Sequence, residues 1–160
     1  MSRAPVVLGI DPGLSGALAA LDTEGRVVQV LDMPTLETGN GRRTVNALAL
    51  RELLQALPPI RASWIESVAA MPTDSRVAAF AFGRSVGTIE TACILFGASI
   101  QRVTPQAWKR AAGLPAGAPK AASVEAALRL LPGCAPYLTR AKDHGRADAL
   151  LIARYGLSVT

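Results

Sequence analysis

The chain has 160 residues, of which half are hydrophobic and 18% are charged, and its formal net charge is +5. This composition excludes a disordered chain and predicts one domain with a sizeable core, spanning residues 1–160. No apolar run reaches the ~18 residues that cross a membrane, and the N-terminus lacks the apolar core of a signal peptide, so we expect no membrane partner. Cys93 and Cys134 are too few for a disulfide framework and too isolated for a zinc site.

The positive charge is concentrated in one segment. Between Ala98 and Arg146 the chain carries eight basic and two acidic residues, whereas the remainder carries nine basic and ten acidic residues. This asymmetry suits a polyanionic partner, because phosphate contacts supply most of the non-specific affinity for nucleic acid. A solvated basic surface is the alternative interpretation.

Three consecutive strands are predicted near the N-terminus. Val6–Ile10 is an apolar, largely β-branched run typical of a buried central strand, and the turn residues DPGLSG follow it. The segments ALAALD and RVVQVLDM flank TEG as in a hairpin. TLETGNGRR is typical of a polar loop, and the apolar spacing over Thr44–Leu57 predicts a helix ended by two prolines.

A short strand, ASWIES, precedes a long predicted helix. The alanine-rich segment Asp74–Phe96 is the helix, with Thr73 or Asp74 as its N-cap. Gly83 and Gly87 lie four residues apart on it, which predicts close packing against a neighbouring element.

The C-terminal part continues the alternation of strands and helices. ASIQRV predicts a strand, and TPQAWKRAAG a short helix with Thr104 as N-cap and Pro105 at its first position. Ala121–Leu131 is predicted to be helical, and RADALLIARYG forms a final helix closed by Gly156. The whole order, βββ-α-β-α-β-α-α-α, predicts an α/β fold with a mixed sheet.

Three carboxylates lie at the ends of predicted elements. Asp11 ends the first strand, Glu66 ends the fourth, and Asp148 lies in the first turn of the last helix. Sites in open α/β sheets form at strand ends, so these side chains are expected to converge. Clustered carboxylates repel one another, and a hard divalent cation such as Mg²⁺ or Mn²⁺ relieves that repulsion. Each acid alone could instead be a turn, surface or helix-start residue.

His144, the single histidine, precedes Asp148 by four residues and would share its helix face. It is a candidate metal ligand or a general base that activates water. Asp143 competes for the same role, and Gly145 could break the helix before Asp148.

The motifs GIDPGLSGALA, WIESV and HGRADALLIARYG occur in this order, with TPQAWKRAAGL and KAASVEAAL between the second and the third. Over nearly the whole chain they resemble the RuvC-like Holliday junction resolvases of the RNase H-like superfamily, in particular the shorter phage- or prophage-type members. The resemblance implies an RNase H-like fold, with a mixed five-stranded sheet flanked by helices, in a single nuclease domain.

The resemblance further implies a dimeric, Mg²⁺-dependent endonuclease that nicks two strands symmetrically at a four-way DNA junction, in the cytoplasm of a bacterial or phage-infected host cell. Asp11, Glu66 and Asp148 fall on the family's metal-binding acids. The family's fourth acidic position, three residues before the last Asp, is Gly145 here. Some relatives place a histidine near this point, which supports His144.

Several basic residues are candidate DNA contacts. Lys109 and Lys120 fall, eleven residues apart, where the family carries two lysines that meet DNA phosphate. Arg110 and Arg146 belong to the same basic segment. Family members often carry an aromatic wedge after the catalytic Glu, whereas SVAAMPTD has none and offers Met71 as a smaller wedge.

The long helix lies where the family builds its dimer interface, and its apolar surplus fits packing on two sides. A two-fold homodimer would present two equivalent sites to a junction. A catalytically impaired junction-binding protein of the same fold is the alternative function, because of the glycine at the fourth acidic position. An actin-like phosphotransferase shares a similar first-strand turn, but that class generally duplicates the fold, for which this length is too short.

Overall fold

The structure, a computed structural model, describes residues 3–160. Its strands are β1 (Val6–Asp11), β2 (Ala17–Asp22), β3 (Val27–Asp32), β4 (Thr35–Glu37), β5 (Arg43–Val45), β6 (Ile60–Glu66) and β7 (Ser99–Val103). Its helices are α1 (Ala47–Ala56), α2 (Arg76–Leu95), α3 (Pro105–Ala111), α4 (Lys120–Leu130) and α5 (His144–Val159), with a 3₁₀ helix over Pro132–Tyr137.

The main sheet has five strands in the order β3-β2-β1-β6-β7. β1, β2 and β3 are antiparallel neighbours, whereas β1, β6 and β7 run parallel. β1 therefore lies at the centre, and its C-terminal end lies beside that of β6. The predicted mixed five-stranded sheet flanked by helices is confirmed.

Helices cover both faces of this sheet. On one face, buried residues of α5, α4 and α3 form a core with the sheet. On the other face, α1 and α2 contribute Leu50, Leu54, Ile89 and Cys93 to a second core. Successive side chains of a strand alternate between the faces, so the position of a residue along its strand decides which helix layer it meets.

Gly9 brings the last helix close to the central strand. A Cβ built at Gly9 would lie 2.1 Å from the carbonyl oxygen of Ala149 and 2.3 Å from the nitrogen of Ala153. No side chain fits there, so α5 rests directly on β1. Val6, Leu8 and Ile10 point to the opposite core, and Asp11, two residues after Gly9, points toward the α5 face.

Two predictions for the segment after β3 are wrong. The expected polar loop contains the β4–β5 hairpin, in which Arg43 donates hydrogen bonds to Thr35 Oγ1 at 3.2 and 2.9 Å. The helix predicted from Thr44 begins only at Ala47, because Asn46 is its N-cap and accepts the N–H of Ala49 at 3.1 Å. β-Branched Thr44 and Val45 pair in the hairpin instead.

The long helix is confirmed, but its cap differs. Ser75 caps α2 by accepting the N–H of Ala78, whereas Asp74 accepts the N–H of Met71 in the preceding turn. The close packing expected at the two helix glycines is wrong among the described residues, because a Cβ built at Gly83 or Gly87 meets nothing within 4 Å.

By length and composition alone, α2 could cross a membrane, although a single such helix is weak evidence. Its inner face belongs to the domain. Ile89 and Cys93 are fully buried in the core, and Glu90 pairs with Arg102 of β7 at 2.7 Å. This helix is therefore one layer of the α/β sandwich.

The caps of α3 agree with the prediction, with Thr104 accepting the N–H of Ala107 and Pro105 in the first turn. The closure of the last helix at Gly156 is wrong, because α5 continues to Val159. Gly156 lies inside α5 and accommodates the indole of Trp64, which is 2.3 Å from where a Cβ would stand. Both cysteines are free and buried, as expected.

Candidate active site

Two predicted acids lie side by side at the ends of parallel strands. Ile10 of β1 pairs with Ile65 of β6, so Asp11 and Glu66 are the next residues along the two strands. Trp64, two residues before Glu66, packs into the core beneath α5. Because strand side chains alternate, Glu66 points to that face, as does Asp11.

The third acid reaches the same place from α5. Asp148 lies on the first turns of this helix, which rests on β1. Asp148 raises the pKa of Asp11, Asp11 raises that of Glu66, and Glu66 raises that of Asp148. The pKa of each carboxylate is therefore raised by one of the other two, as expected for side chains at the neighbouring ends of β1, β6 and α5.

Burial is the largest influence on all three acids. It raises the pKa of Asp11 from 3.8 to about 6, against a hydrogen bond from the backbone N–H of Gly13. Burial likewise raises the pKa of Glu66 and of Asp148. The Trp108 indole lowers the pKa of Glu66 in part, and the Ser123 hydroxyl lowers that of Asp148. Three carboxylates held in this way cost free energy when all are ionised.

Trp108 fixes the position of Glu66. Its side chain is fully buried, and its Nε1–H donates a hydrogen bond to Glu66 Oε1 at 3.0 Å. The Nζ of Lys109 lies 5.3 Å from the centre of the same indole ring. The short helix α3 thus delivers to the acid cluster both a donor for Glu66 and a cation.

Gly145, at the position where the resemblance predicts a fourth acid, is required by the packing. A Cβ there would lie 2.6 Å from the carbonyl oxygen of Ser15, 3.1 Å from Gly16 Cα and 3.3 Å from Asp11 Oδ2. The N-terminus of α5 lies directly against the β1–β2 turn. An aspartate at this position would collide with that turn.

His144 and Asp143, the competing candidates for the fourth role, have different surroundings. His144 begins α5 next to Gly145, whose Cβ position lies 3.3 Å from Asp11 Oδ2, so this end of the helix adjoins the acids. Asp143 is buried, and its two oxygens accept hydrogen bonds from the backbone and guanidinium of Arg140 at 2.7 Å. Burial alone would raise the pKa of Asp143, yet these bonds hold it below its ordinary value.

The four basic candidates divide into two kinds. Lys109 is close enough to lower the pKa of Glu66 and Asp148, and Lys120 that of Asp11. Arg110 is exposed and lines a cleft of about 320 Å³ together with Lys109. Arg146 is engaged within the fold, because its Nε donates to Asp32 at 2.7 Å and its Nη1 to the carbonyl of Tyr137 at 3.0 Å.

Sequence reasoning missed Trp108, which donates to Glu66, and Ser123, whose hydroxyl lowers the pKa of Asp148. Trp108 stands in the motif TPQAWKR, but its bond to Glu66 joins residues 42 positions apart. A buried tryptophan beside a basic residue is most often a core residue, so only the tertiary structure identifies its second role.

The donor atoms of the site are those that a divalent cation prefers. Asp148 Oδ1 is buried and has no hydrogen-bond partner among residues 3–160. The donor set of three carboxylates and an imidazole suits Mg²⁺ or Mn²⁺ in chemistry. Within the described range, however, no three acidic, His or Cys side chains form a ready-made metal cluster. The donors fit, and their side chains would have to close inward around an ion.

Comparisons with known proteins agree with this fold. Over 121 residues, 73% of this chain, the sequence is 34% identical to the chloroplastic Holliday junction resolvase MOC1 of Chlamydomonas reinhardtii. The match spans only 14% of that relative's length. No family model matches the chain.

Two solved structures of RuvC from Thermus thermophilus are similar over nearly their whole length. The one in complex with a Holliday junction substrate has a TM-score of 0.67 and 20% identity, covering 96% of this chain and 94% of that chain. The other has a TM-score of 0.65 and 22% identity, covering 96% and 95%. The resemblance predicted from the three motifs is thus confirmed, and the chain has the RNase H-like fold of the RuvC resolvases.

Proposed function

We propose that this protein is a divalent-metal-dependent endonuclease that cuts four-way (Holliday) or other branched DNA junctions, and that residues 1–160 act as one nuclease domain. The observation that carries the proposal is the convergence of Asp11, Glu66 and Asp148 on one face of the sheet. All three have raised pKa values, and the fold is that of RuvC.

Asp11, Glu66 and Asp148, together with His144, would hold the metal. When bound, Mg²⁺ or Mn²⁺ supplies neutralisation of the carboxylates, activation of water and stabilisation of the leaving oxygen of a phosphodiester. The chain's own residues prepare this chemistry. Trp108 orients Glu66, and the Gly13 N–H orients Asp11.

Lys109 and Lys120 would bind the DNA phosphate nearest the cut, because both lie within electrostatic reach of the acids. Arg110 would extend this contact along the cleft that it shares with Lys109. Arg146 has a weaker case, since Asp32 and the Tyr137 carbonyl already occupy its donors. Its predicted role in DNA binding requires it to exchange these partners.

We also propose a homodimer that packs through α2. The outer face of this helix exposes large apolar side chains, with Phe80 71% and Leu95 79% exposed, and leaves Gly83 and Gly87 uncovered. Large apolar side chains exposed in this number on one helix are typical of a surface that packs against a partner. A two-fold dimer would cover it and present two active sites to a symmetric junction.

The competing proposal is a catalytically impaired protein that binds junctions without cutting them. Gly145 in place of the fourth acid favours it. An assay of nicking and binding on the same four-way junction, with EDTA, Mg²⁺ or Mn²⁺, separates the two proposals. An active nuclease nicks only with metal, whereas the impaired protein binds tightly and nicks with neither ion.

A further inference from the structure

A basic cleft of about 390 Å³ adjoins the acid cluster on its His144 side. Arg43, Lys120, Arg140 and Lys142 line it, with His144 and the turn formed by residues 14–16. Gly16, which lines the cleft, lies against Asp11, because a Cβ built there would be 2.9 Å from Asp11 Cγ. The basic cleft is therefore continuous with the proposed active site.

One carboxylate in the basic cleft, Asp32, is already neutralised. Its Oδ1 accepts a hydrogen bond from Arg146 Nε at 2.7 Å. Arg140 Nη2 donates to both of its carboxylate oxygens at 2.9 Å. These bonds hold the pKa of Asp32 far below its ordinary value. Arg140 also pairs with buried Asp143 at 2.6 Å. The network is internally compensated and contributes little free positive charge.

The other three cations have no such compensation. Arg43, Lys120 and Lys142 are exposed and form no ion pair with any residue from 3 to 160. Unpaired cations that share one concave surface attract a polyanion, because low-dielectric walls strengthen the field inside a cleft.

Arg43 is also fixed in place. Its Nη2 donates to the carbonyl of Leu14 at 3.1 Å and to Thr35 Oγ1 at 2.9 Å, so the β4–β5 hairpin is tied to the turn that follows Asp11. Among the described residues, its Nη1 makes no hydrogen bond. An arginine held this way loses little entropy when it contacts a phosphate.

From this geometry we infer that the basic cleft binds the sugar-phosphate backbone of DNA beyond the cut phosphate, with Arg43 and Lys142 as its contacts. The β4–β5 hairpin, which the sequence predicted to be a polar loop, is then part of the DNA-binding surface. The inference rests on the proposed function and adds a second backbone contact to the lysines beside the acids.

The test measures binding of a labelled four-way DNA junction by fluorescence anisotropy in EDTA, over a range of salt concentrations. Each phosphate contact adds about 0.9 to the slope of log K against log salt. Arg43→Gln and Lys142→Gln should each flatten the slope by about one unit, and the double variant by about two. Arg51→Gln, an exposed charge loss on α1, is the matched control and should keep the wild-type slope.

Arg43→Lys keeps the charge and should keep most of the slope, which separates lost charge from a disturbed hairpin. Lys142 is exposed and forms no ion pair within residues 3–160, so its variant reports charge alone. A double variant with the slope of Arg51→Gln would overturn the inference while leaving the proposed function intact. A wild-type protein that binds no junction at all would overturn the proposed function as well.

Discussion

Replacing Asp11 by asparagine should stabilise the metal-free protein while abolishing its cleavage. Asp11 is partly buried at the end of β1, and burial raises its pKa from 3.8 to about 6. Asparagine has the same shape, and its amide oxygen can still accept the N–H of Gly13. The substitution therefore removes the buried charge and its repulsion but keeps the local turn.

The magnitude follows from the pKa. A rise of about two units, at 1.36 kcal/mol each, corresponds to about 3 kcal/mol lost from the free energy of unfolding when Asp11 is ionised. Between pH 3.8 and about 6 the folded state binds more protons than the unfolded state, so stability falls as pH rises through this window. Below it, both states are protonated and the penalty disappears.

The assay is urea unfolding in EDTA at pH 4 and pH 8, for wild type, Asp11→Asn and the exposed control Glu52→Gln. Asp11→Asn should exceed wild type by about 3 kcal/mol at pH 8 and by much less at pH 4. The control should follow wild type at both values. If the advantage of Asp11→Asn is the same at both pH values, or is missing at pH 8, the buried-carboxylate reasoning fails.

Four further variants test separate parts of the site and its assembly. Trp108→Phe removes the hydrogen bond to the Glu66 carboxylate, and a hydrogen bond to a charged group contributes about 1.5–3 kcal/mol. The rate constant of single-turnover cleavage should therefore fall roughly 10- to 100-fold. Gly145→Ala places a methyl group against Ser15 and should lower the free energy of unfolding by about 1–3 kcal/mol in urea. Phe80→Glu should convert a dimer into a monomer by sedimentation. His144→Ala should slow cleavage strongly while leaving the junction Kd nearly unchanged.

Each of these variants has its own control or contrary result. A Trp108→Phe protein with wild-type kcat would reduce that tryptophan to a packing residue. Gly133→Ala, where a Cβ meets nothing within 4 Å, is the reference for Gly145→Ala. Leu48→Glu, at an exposed apolar position of α1, should leave the oligomeric state unchanged. Full activity of His144→Ala would transfer the role to Asp143 or to water.

The sequence predicted the five-stranded sheet and the position of Asp11 and Glu66 at neighbouring strand ends because both follow from local patterns. Apolar runs that end in a carboxylate mark buried strands whose ends meet, and β1 and β6 are such strands. Capping chemistry was also predictable where a single residue offered a hydroxyl, as at Thr104. Where Thr73, Asp74 and Ser75 all stood before α2, local reasoning chose the wrong cap.

The features that the sequence concealed depend on contacts between distant elements. Gly9 packs against α5, and Gly156 packs against Trp64. The residues next to each glycine in the sequence therefore do not indicate why a glycine is needed there. The β4–β5 hairpin has strands of only three residues, too short for a periodic signal. The Trp108–Glu66 bond likewise becomes apparent only when α3 is placed against the sheet.

The most direct test is cleavage of four-way, three-way and linear DNA of the same sequence in Mg²⁺, with Asp11→Asn as the control. The proposed function predicts symmetric nicks in the four-way junction, little cutting of the linear duplex, and no product from Asp11→Asn. Equal cutting of all three substrates, or wild-type cutting of the junction by Asp11→Asn, would contradict it.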